Sequence, residues 1–298
     1  MIATQMSEPL REDVILLPDL RRLAYAEYGD PNGRPLFFFH GFPGSRYEAA
    51  LGAGEAAARN IRIIAPDRPG SGLSDYQPRR RILDWPHDVV RLADTLGVER
   101  FGVAGISGGG PYAAACAYAI PERLTGAAII SGVGPFDAPG ATDGMSRQNR
   151  AIFWLASKAS WLTFPPLFIL SRAVRGSPDR LAKQMMTSMP ESDRELLRDP
   201  AIQEMFVRDA REAVRPGLRG AMQEASMYAR PWGFRLQDIR MRVHVWQGGK
   251  DTNVPPSMGR WQAKAIPDCV FTFYEDEGHL LGLRHLPDIA EAVLADTN

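Results

Sequence analysis

Gly105-Ile106-Ser107-Gly108-Gly109 is the stretch on which the reading of this chain turns. A short apolar run, Phe101–Ala104, leads into it, and a segment rich in small residues, Gly109–Ala119, follows it. When a strand turns sharply into a helix through G-x-S-x-G, the serine sits at the apex of the turn with its hydroxyl exposed. The backbone there is strained, and side chains at 105 or 109 would collide across the turn, so glycine is required at both. Pro111 falls in the first helical turn, where its missing N–H is tolerated. Ser107 is therefore a candidate nucleophile. A glycine-rich strand–helix turn with no chemistry is the plainer alternative.

Outward from this turn, strand and helix signals alternate. Val14–Leu17 and Leu23–Tyr28 read as an opening pair of strands. Leu36–His40 and Ile61–Ala65 are short apolar runs of the kind expected for buried strands. Asp84 is expected to cap a helix that carries Val89, Leu92, Ala93 and Leu96 on one face and ends at Gly97. Thr125–Ser131 is another strand. Toward the C-terminal end, Arg242–Trp246 and Val270–Tyr274 read as strands, with helices at Pro256–Ala265 and Asp288–Leu294. Repeated alternation of this kind specifies an α/β fold with a mostly parallel central sheet flanked by helices.

The alternation defines a core over residues 1–134 and 238–298. Residues 135–237 break it: the segment is helical in composition, lacks strand runs, and is expected to form a helical cap over the site. It holds Met145, Met185, Met186, Met189, Met205, Met222 and Met227, and also Phe153, Trp154, Trp161, Phe164 and Phe168. These side chains are expected to supply an adaptable apolar pocket. An ordinary helical subdomain core is the alternative.

A serine hydroxyl attacks only when a base removes its proton. Among the five histidines, His87 falls in a helix, His244 inside a strand and His285 at the opening of the last helix. His40 belongs to the turn His40-Gly41-Phe42-Pro43-Gly44-Ser45. His279 alone sits in a loop directly after a late strand, behind Gly278, and is the expected base. The base in turn needs a carboxylate to fix its tautomer. Asp251, just after the Arg242–Trp246 strand, gives the chain order Ser…Asp…His, with Asp137 and Asp276 as rivals. The His40–Gly41–Phe42 turn can aim the Phe42 N–H at an acyl oxygen beside the N–H of Gly108, forming an oxyanion hole. The Gly- and Pro-rich loop after Ile61–Ala65 is read as structural, with Asp67 and Arg68 bonding locally.

Taken together, HGFPGS (40–45), DRPGSGLSD (67–75), GISGGGP (105–111), GGKDTNVP (248–255) and EGH (277–279) resemble the α/β-hydrolase superfamily. The resemblance spans nearly the whole chain outside 135–237. It implies Ser107 as nucleophile, Asp251 as acid, His279 as base, and oxyanion donors at Phe42 and Gly108. HGxP is also typical of the superfamily's epoxide hydrolases and haloalkane dehalogenases, which use a carboxylate nucleophile; the serine at 107 argues against both reactions. The leading expectation is hydrolysis of a hydrophobic carboxylic ester through an acyl-enzyme. Amide, lactone or C–C bond hydrolysis, perhydrolysis, and a slow-turnover ligand-binding or signalling protein stand as alternatives.

Bulk composition narrows the partners. In 298 residues, 35 basic side chains balance 35 acidic ones, so no polyanionic partner such as nucleic acid is expected. The two cysteines, Cys116 and Cys269, form no metal-binding spacing. No cofactor or metal is implied, and the expected ligand is a small-molecule substrate. No leader is read in the first residues, and no stretch is long and apolar enough to insert in a membrane, so a cytoplasmic location is expected. Composition sets no oligomeric state.

Overall fold

Eight strands and the helices between them follow the expected alternation, with one long helical interruption. The computed structural model describes residues 7–176 and 189–295. The strands are β1 (Arg11–Leu16), β2 (Arg22–Gly29), β3 (Arg34–Phe39), β4 (Ile61–Pro66), β5 (Phe101–Ile106), β6 (Leu124–Ile130), β7 (Val243–Gly248) and β8 (Cys269–Tyr274). They form one sheet in the order β1-β2-β4-β3-β5-β6-β7-β8. The β1–β2 and β2–β4 pairs are antiparallel, and every pairing from β4 across to β8 is parallel.

Helices α1 (Ala53–Ala58), α2 (Trp85–Thr95) and α3 (Gly110–Ala119) lie in the first half of the core. Between β6 and β7 the described residues contribute α4 (Arg147–Lys158), α5 (Phe164–Gly176), α6 (Glu191–Leu196), α7 (Pro200–Ala213) and α8 (Arg219–Tyr228), and no strand. Helices α9 (Pro256–Ala265) and α10 (Leu281–Leu294) complete the core.

Strand side chains alternate between two apolar layers, as the two-residue repeat requires. Phe101, Val103, Ala127 and Ile129 enter one layer together with α2 and α3. Ala104, Ile106, Ala128 and Ile130 enter the other, with α1 and α10. The apolar runs of β5 and β6 are thus explained: both faces are covered. Among the described residues, no helix is long and apolar enough to cross a membrane.

Two local expectations need correction. Helix α10 starts at Leu281, not Asp288, and continues through Pro287. Proline usually marks a boundary, but here Leu281, Gly282, Ile289, Ala290 and Val293 are all buried, and that packing outweighs the lost hydrogen bond. Asp84 stands at the N-cap of α2 as expected, but its carboxylate caps no helix N–H; it accepts the N–H of Arg81, closing the short turn ahead of the helix.

Candidate active site

The turn at the end of β5 is as tight as its sequence demands. Ser107 has φ +52°, a left-handed conformation that few side chains adopt. A methyl group on Gly105 would lie 2.2 Å from the Gly109 carbonyl oxygen, and one on Gly109 would lie 2.1 Å from that of Phe39. Both distances are far inside van der Waals contact, so the turn can close on itself and pack against the end of β3 only through glycine. The Gly108 N–H lies in the short turn leading into α3, where helix polarity favours negative charge.

His279 lies in the loop between β8 and α10 and reaches the apex. Its Nε2 is 3.0 Å from Ser107 Oγ, and its Nδ1 is 2.8 Å from Asp251 Oδ2. With Nδ1 donating to the carboxylate, Nε2 is free to accept the serine proton. Asp251 is fully buried at the end of β7, and its other oxygen accepts the N–H groups of Asn253 at 2.8 Å and Val254 at 2.9 Å. The rivals are elsewhere: Asp137 and Asp276 are exposed, and Asp276 pairs with Lys250. Burial opposes protonation of His279, but the charges of Asp251, Asp193 and Glu48 outweigh it and raise its pKa above the ordinary 6.5.

The other histidines stand apart from this chain of contacts. His87 is exposed, and His244 is half-buried in β7. His285 lies inside α10, bonds Glu277 and stacks on Tyr274. His40 is buried, and burial together with the Arg68 guanidinium holds its pKa far below the usual value, so it stays neutral. Its Nδ1 faces the Gly41 carbonyl, and its Nε2 accepts the N–H of Arg68. It is a strut of the turn that carries Phe42.

Phe42 and Gly108 abut: a methyl group on Gly108 would lie 2.6 Å from Phe42 Cβ and 3.2 Å from its backbone nitrogen. The two backbone segments proposed as oxyanion donors are thus neighbours. Arg68 braces the first of them by donating to the carbonyls of both His40 and Gly41. This corrects the local reading of Arg68, whose guanidinium also binds Glu224 on α8. Arg80 and the Tyr112 hydroxyl bind the same carboxylate. Burial opposes the Glu224 charge, but Arg68 and Arg80 hold its pKa down at about 2. Tyr228, also on α8, donates to the Gly108 carbonyl at 2.8 Å. Asp67 likewise reaches beyond its loop, to the N–H and guanidinium of Arg46.

A second tie to the helical segment runs through Asp193 on α6. Its carboxylate accepts the N–H groups of His279 at 2.9 Å and Leu280 at 3.1 Å. Nothing in the local sequence of Glu191–Leu196 signals this contact.

Ser107 and His279 open onto a cavity of about 220 Å³. Leu170, Val174, Met189 and Phe206 supply an apolar wall, and Glu48 and Asp209 supply carboxyl groups. Burial raises the pKa of both acids; each is anchored by backbone, Glu48 to the Gly41 N–H and Asp209 to Ser45. The methionine and aromatic set expected to line the pocket is mostly elsewhere. Trp154 and Trp161 are 61% and 68% exposed, and Phe164 and Phe168 are also at the surface. Phe153, Met145 and Met205 are packed in the interior, and Met222 and Met227 line a separate groove. Met189 does line the cavity, while Met185 and Met186 lie outside the described residues. On α4 one aromatic faces inward and its neighbour outward, and on α5 both aromatics face outward.

With this geometry in place, comparison with known proteins fixes the class. The chain belongs to the family with the α/β hydrolase fold, whose sequence model matches residues 34–286. It is 31% identical over 125 residues to a proline iminopeptidase of Xylella fastidiosa, a match covering 39% of this chain and 38% of that protein. It is 33% identical over 127 residues to epoxide hydrolase B of Mycobacterium tuberculosis, covering 40% of this chain and 36% of that one. The match therefore spans little more than a third of these two relatives. In three dimensions it resembles a thermophilic esterase from Thermogutta terrifontis, with a TM-score of 0.62, 23% identity, and 95% and 96% of the two chains covered. At that identity the likeness concerns the fold.

Proposed function

We propose that the protein is a serine hydrolase that cleaves carboxylic esters of small, hydrophobic molecules through an acyl-enzyme. The observation that carries this reading is the unbroken line of contacts from the Ser107 hydroxyl through the His279 imidazole to the Asp251 carboxylate. His279 Nε2 takes the Ser107 proton as Oγ attacks the ester carbonyl carbon. The N–H groups of Phe42 and Gly108 stabilise the oxyanion. The imidazolium then passes its proton to the leaving alkoxide as the C–O bond breaks. Water, deprotonated by the same ring, attacks the acyl carbonyl carbon; the bond to Ser107 Oγ breaks, the imidazolium returns its proton to Oγ, and the carboxylic acid leaves. Asp251 holds the tautomer throughout and stabilises the charged ring. The apolar wall of Leu170, Val174, Met189 and Phe206 favours an uncharged acyl or alcohol group, with the helical segment acting as a cap. The reading uses neither metal nor cofactor. It places the enzyme in the cytoplasm, in keeping with two cysteines that stay unpaired.

The test is hydrolysis of p-nitrophenyl esters of increasing acyl length. Ser107→Ala is expected to abolish turnover while leaving the circular-dichroism spectrum unchanged. A folded Ser107→Ala protein with undiminished turnover would sink the mechanism.

A further inference from the structure

The helical segment does more than cover the cavity; one of its carboxylates is built into the loop that carries His279. Asp193 is 1% exposed. It accepts two successive backbone N–H groups, those of His279 and Leu280. A methyl group on Gly278 would lie 2.4 Å from Asp193 Oδ2, so residues 278–280 wrap around the carboxylate. Next to it, Leu280 packs with Leu197 and Ile202 in a separate small apolar cluster. The loop is thus held from the helical segment by a polar clamp and an apolar one.

Among the described residues, no lysine or arginine pairs with Asp193. Burial disfavours its charge and raises its pKa, against the pull of the two N–H groups and of the His279 ring. A buried carboxylate compensated only by backbone dipoles retains a strong field at short range. That field acts on His279, whose own N–H the carboxylate binds. The charged groups acting on that ring come from three elements: Asp251 after β7, Asp193 on α6, and Glu48 in the turn after β3. Asp251 bonds the ring directly, whereas Asp193 acts through the backbone and through space.

We propose that Asp193 is a positioning residue that sets both the placement and the basicity of His279, so that the helical segment tunes the base of the reaction. This rests on the hydrolase reading for its catalytic meaning but not for its test.

The sign follows from the charge. Removing a carboxylate near the ring destabilises imidazolium relative to imidazole, so the His279 midpoint falls. The proposed base works only when neutral, so the acid limb of its activity moves to lower pH with it. The experiment is an NMR titration of the His279 ring in wild-type protein, Asp193→Asn and Asp193→Glu. Alongside it, the pH profile of fluorophosphonate labelling at Ser107 is recorded. Asp193→Asn keeps an acceptor for the loop but not the charge. Its His279 midpoint is expected about half a unit or more below wild type, with the labelling limb shifted equally. Asp193→Glu, which retains the charge, is expected to move the midpoint back toward wild type. An unchanged His279 midpoint in Asp193→Asn overturns the proposal, even if labelling slows. Should that variant not fold, the wild-type Asp193 carboxyl carbon decides: it must show an inflection at the His279 midpoint, and a flat trace there overturns the proposal. A shifted ring midpoint with no labelling of Ser107 in any protein would leave this inference standing and remove the hydrolase reading instead.

Discussion

Two buried carboxylates reach from the helical segment to opposite sides of Ser107, and they are treated in opposite ways. Glu224, on α8, meets two arginines and a tyrosine hydroxyl, and through Arg68 it steadies the carbonyls of His40 and Gly41. Among the described residues, Asp193, on α6, meets backbone N–H groups, those of His279 and Leu280. The first charge is paired directly with two guanidiniums, those of Arg68 and Arg80. It acts as a brace, and the two guanidiniums hold its pKa down at about 2. Among the described residues, no lysine or arginine pairs with the second. In the proposed mechanism the donor side of the site needs fixed backbone geometry and the base side a tuned proton affinity, and the two environments suit those needs.

The strongest way to break this comparison is at the member of the base side that touches the ring itself. Asp251→Asn removes the charge and disfavours the tautomer in which Nδ1 donates. The expected loss in kcat for ester hydrolysis is about ten-thousand-fold, with little change in secondary structure. If Asp193→Asn lost as much, the distinction between a residue that bonds the ring and one that acts through its backbone would collapse.

On the opposite side, the expected damage is to stability. Glu224→Leu leaves the guanidiniums of Arg68 and Arg80 buried without their anion, at 0% and 2% side-chain exposure. Breaking a buried pair by removing one partner costs about 3–5 kcal/mol, so urea or thermal unfolding should show a large loss. The pH at which labelling of Ser107 is half-maximal should stay close to wild type, because the charges that raise the His279 pKa are those of Asp251, Asp193 and Glu48. A shift of that midpoint in Glu224→Leu would mean that the two sides are not electrically separate.

How much of this was legible in the sequence follows the range of the interactions. The glycines at 105 and 109 answer to a turn only a few residues long, and the strands of the core carry their own apolar runs. Asp251 and His279 could be found because each follows its strand directly. Asp193 and Glu224 could not. Their partners lie 86 and 156 residues away, and their helices carry no local pattern that records it. The helical segment also misled on its aromatic residues: Phe153 is buried against Phe136 and Tyr228, while its neighbour Trp154 faces outward. Composition says that a segment can bury surface, but only the packing of its helices decides which side chains do so. The Arg68 reading failed for the same reason, since a side chain in a loop can serve a helix that comes much later in the chain.

The smallest expected effect tests whether the brace reaches the oxyanion side through its second contact. Tyr228 is fully buried and donates to the Gly108 carbonyl, the residue whose N–H is proposed to meet the oxyanion. Tyr228→Phe deletes one hydroxyl and leaves the ring packed edge-on to Phe42 and Tyr112. The cost in unfolding free energy should be about 1–2 kcal/mol, the price of one buried carbonyl left without its donor. Loosening the Gly108–Gly109 peptide, next to the one that carries the Gly108 N–H, should also lower kcat for the best p-nitrophenyl ester several-fold, with KM nearly constant. That pattern is the one expected of an interaction that matters more in the transition state than in the bound substrate. A rise in KM at unchanged kcat would instead assign Tyr228 to the shape of the cavity, and would leave Arg68 as the part of the brace that serves the oxyanion side.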